Sequence, residues 1–341
     1  MLKIHNFDND KFDQWLPWGG ITHDHVLHQK DESLLGVIQY NPLPKDRHLK
    51  IIEKDIFPEF AMGWSIWFDK QHMPGHDAYY IAICWNPFSN KKRHQHITNT
   101  LSASYTTFDD YEGYFESVLF KIASNLDRYT ECRVMNYQGI YNYLSFVISI
   151  GQKIVPMPDI PMYMDVDFST FVKVDFLPNG ITVDDQRIVM LNLPTVPEEE
   201  LYKFFDFFSD LNYRYTRRLL CIEKDTAKKD LDHYTSKWCS GRKSVKDVIT
   251  DSILSNVNGY FYNALIFLID KEDYIDFIKL IRKATAHLGL ANIIESFNLK
   301  DSWWGCIPGC YQANLTPPVM GFDSMMDLLL YKEVNDSDVQ A

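Results

Sequence analysis

The stretch Val155-Pro156-Met157-Pro158-Asp159-Ile160-Pro161-Met162-Tyr163-Met164-Asp165 decides how the chain divides. Its three prolines, Pro156, Pro158 and Pro161, fix φ and remove three backbone donors. Each residue before a proline is pushed out of the helical region. The segment therefore reads as extended and stiff, neither helix nor central strand. Its methionines, Ile160 and Tyr163 give it an apolar side. The reading is a rigid connector over 155–165, packed between two similar halves, 1–154 and 166–330. Pro158 and Pro161 are its candidate contact points. An ordinary proline-rich loop is the plainer alternative.

Working outward, Ser33–Tyr40, Gly63–Asp69 and Tyr79–Trp85 read as strands, the last apolar enough to be buried on both faces. Tyr111, Tyr114, Phe115, Val118, Leu119, Ile122 and Leu126 recur at helical spacing and predict a helix over Phe108–Tyr129. A strand at Cys132–Met135 and an apolar helix at Ile140–Ile150 follow; Lys45–Phe57 is a weaker helix candidate. Beyond the connector the order is similar. Gln186–Leu193, Tyr213–Glu223, Tyr260–Ile269 and Leu290–Phe297 read as strands. Pro194–Leu211 and Asp270–Leu288 read as helices, the first with Glu198, Glu199 and Glu200 in its opening turn, where the helix dipole favours them. Each half then reads β-α-β-β-α-β. The predicted class is α+β: two split-βαβ, ferredoxin-like halves with mostly antiparallel sheets. The second half carries a helical insertion over 225–257, and 331–341 forms a tail.

At 341 residues, 46% hydrophobic and 23% charged, the chain is a folded protein with a large core. A net charge of −12 argues against a general nucleic-acid binder. Lys91-Lys92-Arg93-His94 is a solvated loop or a local basic patch. The start shows no targeting segment. The longest apolar runs, near 140–150 and 260–269, fall short of the ~20 residues that span a bilayer, so a soluble chain is expected. The six cysteines form no C-x-x-C pair and are expected to be reduced thiols.

His23, Asp24, His25 and His28 are the densest cluster of metal-type ligands. In a strand, 23 and 25 face one way and 24 and 28 the other, so a polar strand edge is the plain reading. A metal-dependent hydrolase using these four residues is the rival reading. A single-stranded nucleic-acid module using the aromatics with Lys91–Arg93 is a second rival. His94 and His96 form a further weak pair. Gly241-Arg242-Lys243-Ser244 lacks both the upstream glycine and the glycine before the lysine that a phosphate-binding loop requires. It is not a nucleotide site. Trp303-Trp304 reads as a packing wedge or an interface anchor. Two adjacent indoles cannot share one face of an extended chain, so one of them is expected at an exposed or partner-covered surface. No catalytic, cofactor or metal residue is assigned.

These pieces fall in an order that resembles a family. L-P-W-G-G at Leu16, K-D-E-S-L-L at Lys30, G-W-S-I-W at Gly63 and Y-Y-I-A-I at Tyr79 open the series. P-D-I-P-M-Y-M-D at Pro158, R-R-L-L-C-I-E-K-D at Arg217, W-C-S-G-R-K-S at Trp238 and L-K-D-S-W-W-G-C-I-P-G at Leu299 complete it. Colinear from Leu16 to Pro318, they resemble the N-terminal region of the type IV secretion and conjugation ATPases of the CagE/TrbE/VirB type. The resemblance implies a docking and oligomerisation module at the cytoplasmic face of the bacterial inner membrane. Its implied partners are the inner-membrane components of the secretion channel and further copies of itself. In that family ATP and magnesium belong to a C-terminal RecA-like domain, which would begin near Ala341; a truncated chain or a split gene product is expected here. The segment between Asp69 and Tyr79 is shorter than the family's usual helical excursion.

Overall fold

The computed structural model describes residues 12, 16–44, 56–57, 60, 63–87, 108–159, 161–177, 180–193, 198–229, 258–288, 293–295, 299–310, 319–321 and 331–332. The first half contributes β1 (Trp18–His23), β2 (Val26–Gln29), β3 (Leu34–Tyr40), β4 (Leu43–Pro44), β5 (Trp64–Met73), β6 (His76–Trp85), α1 (Phe108–Leu126), β7 (Cys132–Val134) and α2 (Tyr137–Ser149). After the connector come α3 (Met164–Phe171), β8 (Val174–Leu177), β9 (Gly180–Val183), β10 (Gln186–Asn192), α4 (Glu198–Asp206) and β11 (Tyr213–Ile222). They are followed by β12 (Asn258–Ile269), α5 (Tyr274–Leu288), β13 (Ile293–Ile294), α6 (Leu299–Cys306), β14 (Val319–Gly321) and β15 (Tyr331–Lys332).

The class is α+β with antiparallel pairing throughout a 13-stranded sheet, and the short β15 adds one parallel pair with β4. In the first half the strands lie in the order β7-β3-β6-β5, and in the second β13-β10-β12-β11. Both read fourth-first-third-second along the chain, the arrangement that two interleaved βαβ units produce. In each half a hairpin missed by the sequence reading extends the first strand: β1–β2 on β3, and β8–β9 on β10. The halves do not keep separate sheets. β5 pairs with β11, from His72 opposite Tyr213 to Ser65 opposite Leu220, and fuses them edge to edge.

Alternation along these strands sends neighbours to opposite faces. Ile66, Phe68, Ile81, Ile83, Tyr215 and Phe267 face one way and are covered by α1, α4 and α5 through Phe115, Leu119, Phe204 and Ile281, and by Phe208 in the turn after α4. Trp67, Ala82, Cys84, Met190, Ala264 and Ile266 face the other way and are covered by α2, α3 and α6. Each strand of the centre is thus buried on both faces, as the apolar Tyr79–Trp85 run requires. Of the predicted apolar stripe on α1, Tyr111, Phe115, Val118, Leu119, Ile122 and Leu126 are buried, while Tyr114 is exposed. Gly36 on β3 lets α1 settle close: a Cβ there would stand 2.2 Å from Leu119 Cδ1.

The connector is neither helix nor strand from Val155 to Pro158, and the chain turns helical at Met164, one residue before its expected end. The Val155 N–H donates to Ser145 Oγ on α2 (3.1 Å), and Ile21 N–H on β1 donates to Pro161 O (2.8 Å). Gly20 serves that approach, since a Cβ there would lie 2.8 Å from Met162 Cα. These bonds run to the first half. The tie to the second half stands just before the segment, where Lys153 Nζ meets Asp184 Oδ2 at 2.9 Å. Of the expected strand at 290–297 only 293–295 are described, and Ile293–Ile294 form β13 there. Of the insertion expected over 225–257, 225–229 is helical and 230–257 lie outside the described residues. Lys91–His96, Gly241–Ser244 and most of Lys45–Phe57 lie outside the described residues.

Candidate functional site

Both edges of the sheet converge on α6. Leu299, Trp303 and Cys306 fall at helical spacing, and Asp301 sits in the first turn, where a carboxylate suits the dipole. Phe12 stacks on Trp304 with ring centroids 6.0 Å apart, and Phe176 of β8 approaches the same indole at 5.7 Å. Trp303 and Trp304 are therefore core residues, 1% and 3% exposed. The expectation of an exposed indole fails because it assumed extended chain. In a helix, consecutive side chains diverge by about 100°, and Phe12 and Phe176 each contact both indoles.

A helix end leaves its last carbonyls without intrahelical donors, and here that end is buried. Strand side chains supply the donors. Trp67 Nε1 of β5 donates to Gly305 O (3.2 Å), Arg214 Nη2 of β11 to Cys306 O (2.7 Å) and Trp18 Nε1 of β1 to Pro308 O (2.9 Å). Backbone N–H groups of Ile307 and Cys310 take Trp304 O and Ile307 O. Five consecutive carbonyls are satisfied, and a guanidinium at a helix C-terminus also complements the dipole.

Arg214 brings a buried charge that requires an anion. Asp69 of β5 supplies it: Arg214 Nε and Nη2 donate to Asp69 Oδ2 at 3.0 and 2.7 Å, with both side chains at most 1% exposed. Tyr143 Oη of α2 donates to the same oxygen at 2.6 Å. Burial, with the Asp69 charge behind it, holds the Tyr143 phenol well above its usual range. Burial likewise pushes the Cys306 thiol up to about 12, against the pull of Arg214 and Arg218. Neither becomes an anionic nucleophile at neutral pH. Chemically the cluster is a clasp: it joins β5 and α2 of the first half to β11 and α6 of the second.

The four candidate metal ligands do not converge. Asp24 is exposed in the β1–β2 turn. His25 Nδ1 donates to Met135 O (3.1 Å), and its ring meets Phe120 edge-on. His28 faces the Glu112 carboxylate of α1. The His23 side chain lies outside the described residues. Among those residues, no group of three or more His, Cys, Asp and Glu side chains is arranged to hold a metal ion. Nor, among them, is any helix long and apolar enough to cross a membrane. Pro158 and Pro161 are half-buried along the connector. The sequence reading missed the Asp69–Arg214 pair, which lies 145 residues apart in the chain; its only local trace is charges inside two otherwise apolar strands, Asp69 and Lys70 in β5 and Arg214, Arg217 and Arg218 in β11.

The fold and clasp define a duplicated α+β protein with one sheet shared between its halves. The chain is similar to TrbE proteins of conjugal transfer. It is 22% identical over 227 aligned positions to a probable TrbE conjugal transfer protein of Sinorhizobium fredii (strain NBRC 101917 / NGR234), covering 58% of this chain and 33% of that protein. It is 21% identical over 227 positions to the conjugal transfer protein TrbE of Rhizobium radiobacter, covering 58% and 27%. The chain thus spans about a third or less of the length of these curated relatives. No protein-family profile matches the sequence. Berberine bridge enzyme from Eschscholzia californica aligns over 78% of this chain and 43% of its own at 9% identity, with a TM-score of 0.31. Aspartate kinase from Synechocystis aligns over 82% and 45% at 10% identity, with a TM-score of 0.19. Scores this low carry no argument about the fold or its use.

Proposed function

We propose that this chain is a docking and oligomerisation module of a TrbE-like ATPase in a type IV conjugation apparatus, held at the cytoplasmic face of the bacterial inner membrane. The similarity to the two TrbE proteins carries the reading. The colinear motifs from Leu16 to Pro318 agree with it, and the net charge of −12 favours protein partners over nucleic acid. In this reading, the module positions the ATPase on inner-membrane components of the channel and on further copies of itself. The ATP and magnesium sites lie in a separate RecA-like domain.

By itself the module neither binds nor hydrolyses ATP. A phosphate loop needs backbone amides around the phosphates, a lysine reaching them and a hydroxyl on magnesium. Gly241–Ser244 lacks the glycine before its lysine. Loose attraction to a surface charge is worth ~1 kcal/mol or less, whereas even millimolar binding needs about 4 kcal/mol. Calorimetry with ATP and magnesium on residues 1–341, beside a turnover assay, tests this. No heat of binding and no turnover are expected. Micromolar binding, or turnover abolished by Lys243→Ala, overturns the non-catalytic reading.

A further inference from the structure

At the open end of the central strand pair, where Lys70 Nζ of the first half also lies over the Phe205 and Tyr213 rings of the second, one imidazole hydrogen-bonds to both halves. His72, next to last in β5, is 8% exposed, with its ring stacked on Tyr213 of β11 at a centroid distance of 4.4 Å. Its Nδ1 lies 2.5 Å from Asp77 Oδ1 on β6, and its Nε2 lies 2.9 Å from Ser209 O, in the chain between α4 and β11. A backbone carbonyl and an ionised carboxylate only accept hydrogen bonds. A neutral imidazole has one N–H and can serve only one of them; serving both takes the imidazolium.

The one escape would be a proton on Asp77 itself, and the surroundings oppose it. Asp77 Oδ2 receives Lys70 Nζ at 3.0 Å and Tyr79 Oη at 3.4 Å. Burial works to raise the Asp77 carboxyl, but the bond from His72 and the charge of Lys70 outweigh it, so Asp77 lies below the usual carboxylate range. The charged and titratable groups around the ring are Lys70 on β5, Asp77 and Tyr79 on β6 and Tyr213 on β11. Lys70 opposes a second cation, whereas Asp77 and the electron-rich face of Tyr213 favour it.

We propose that His72 is held as the imidazolium and acts as a proton-dependent latch, fastening the 207–212 segment of the second half to the β5–β6 hairpin of the first. The latch works within a pH window. Below it, protonation of Asp77 removes the acceptor; because the Asp77 carboxyl is depressed in the folded state, this loss comes only at pH below the usual carboxylate range. Above it, the ring gives up one proton and one of its two bonds.

The test is nitrogen-15 NMR of the His72 ring in the 341-residue chain, assigned through its own Cβ, as pH is raised from 5 to 10. Both ring nitrogens are expected to carry protons at pH 7. When one proton is lost at higher pH, amides over 207–212 should lose protection relative to their intrinsic exchange rates. In Asp77→Asn the ring should lose that proton at lower pH than in the unaltered chain. A neutral ring at pH 7, or protection over 207–212 that does not follow the ring's proton, overturns the proposal. The unaltered chain decides this even if the variant does not fold.

Discussion

At Arg214 one guanidinium meets Asp69 of β5 and the Cys306 carbonyl of α6, while Tyr143 of α2 shares the same carboxylate. Breaking such a pair leaves an uncompensated buried charge, which costs roughly 3–5 kcal/mol, whereas removing both charges together can be nearly neutral. Asp69→Leu and Arg214→Met are each expected to lose stability of that order in urea unfolding. The double variant strands only the Cys306 carbonyl and the Tyr143 hydroxyl, at about 1–3 kcal/mol each. It should therefore be no less stable than either single variant. A double variant that costs the sum of the two would mean that Asp69 and Arg214 act separately. Sequence showed the two charges but not their partnership, because pairing across strands depends on register that no local pattern encodes.

Elements with a strong period were legible. β3, β6, β10, β11 and β12 and helices α1, α2 and α5 fall within a few residues of their expected positions. The hairpins β1–β2 and β8–β9 were not, because their short strands mix apolar residues with His, Gln, Asp and Thr and show no clean alternation. Within β1, Gly20 has the connector backbone as its close neighbour. The prediction at this scale concerns the exit from α6. Gly309 has φ +95°, and a Cβ there would stand 2.1 Å from Gln29 Nε2. Gln29 is not free to swing away, since it accepts from Ser33 Oγ (2.7 Å) and donates to Cys84 Sγ (3.4 Å). Gly309→Ala combines backbone strain of roughly 1–3 kcal/mol with that collision. Gly75→Ala, at φ +79° with nothing within 4 Å, isolates the strain alone. Thermal unfolding should rank Gly309→Ala well below Gly75→Ala; equal midpoints would show that the Gln29 contact does not constrain α6.

For the whole molecule, the split into similar halves was readable from the repeated β-α-β-β-α-β order, but their fusion through β5 and β11 was not. That seam has a consequence for the halves taken apart. Residues 1–154 alone would expose the ten-residue edge of β5 and strand Asp69 in an apolar face. Open, long, apolar edges associate, so this fragment is expected to aggregate when expressed alone and to become soluble when co-expressed with 155–341. A monomeric, cooperatively unfolding 1–154 would show that the seam is dispensable. The central claim, a place in conjugal transfer, rests on TrbE likeness and is tested most directly in donor cells. The measurement is the frequency of plasmid transfer after in-frame deletion of the segment encoding residues 1–341. The account predicts that transfer falls to the level of a donor lacking the apparatus, and that the unaltered gene restores it. Undiminished transfer from the deleted donor would contradict it.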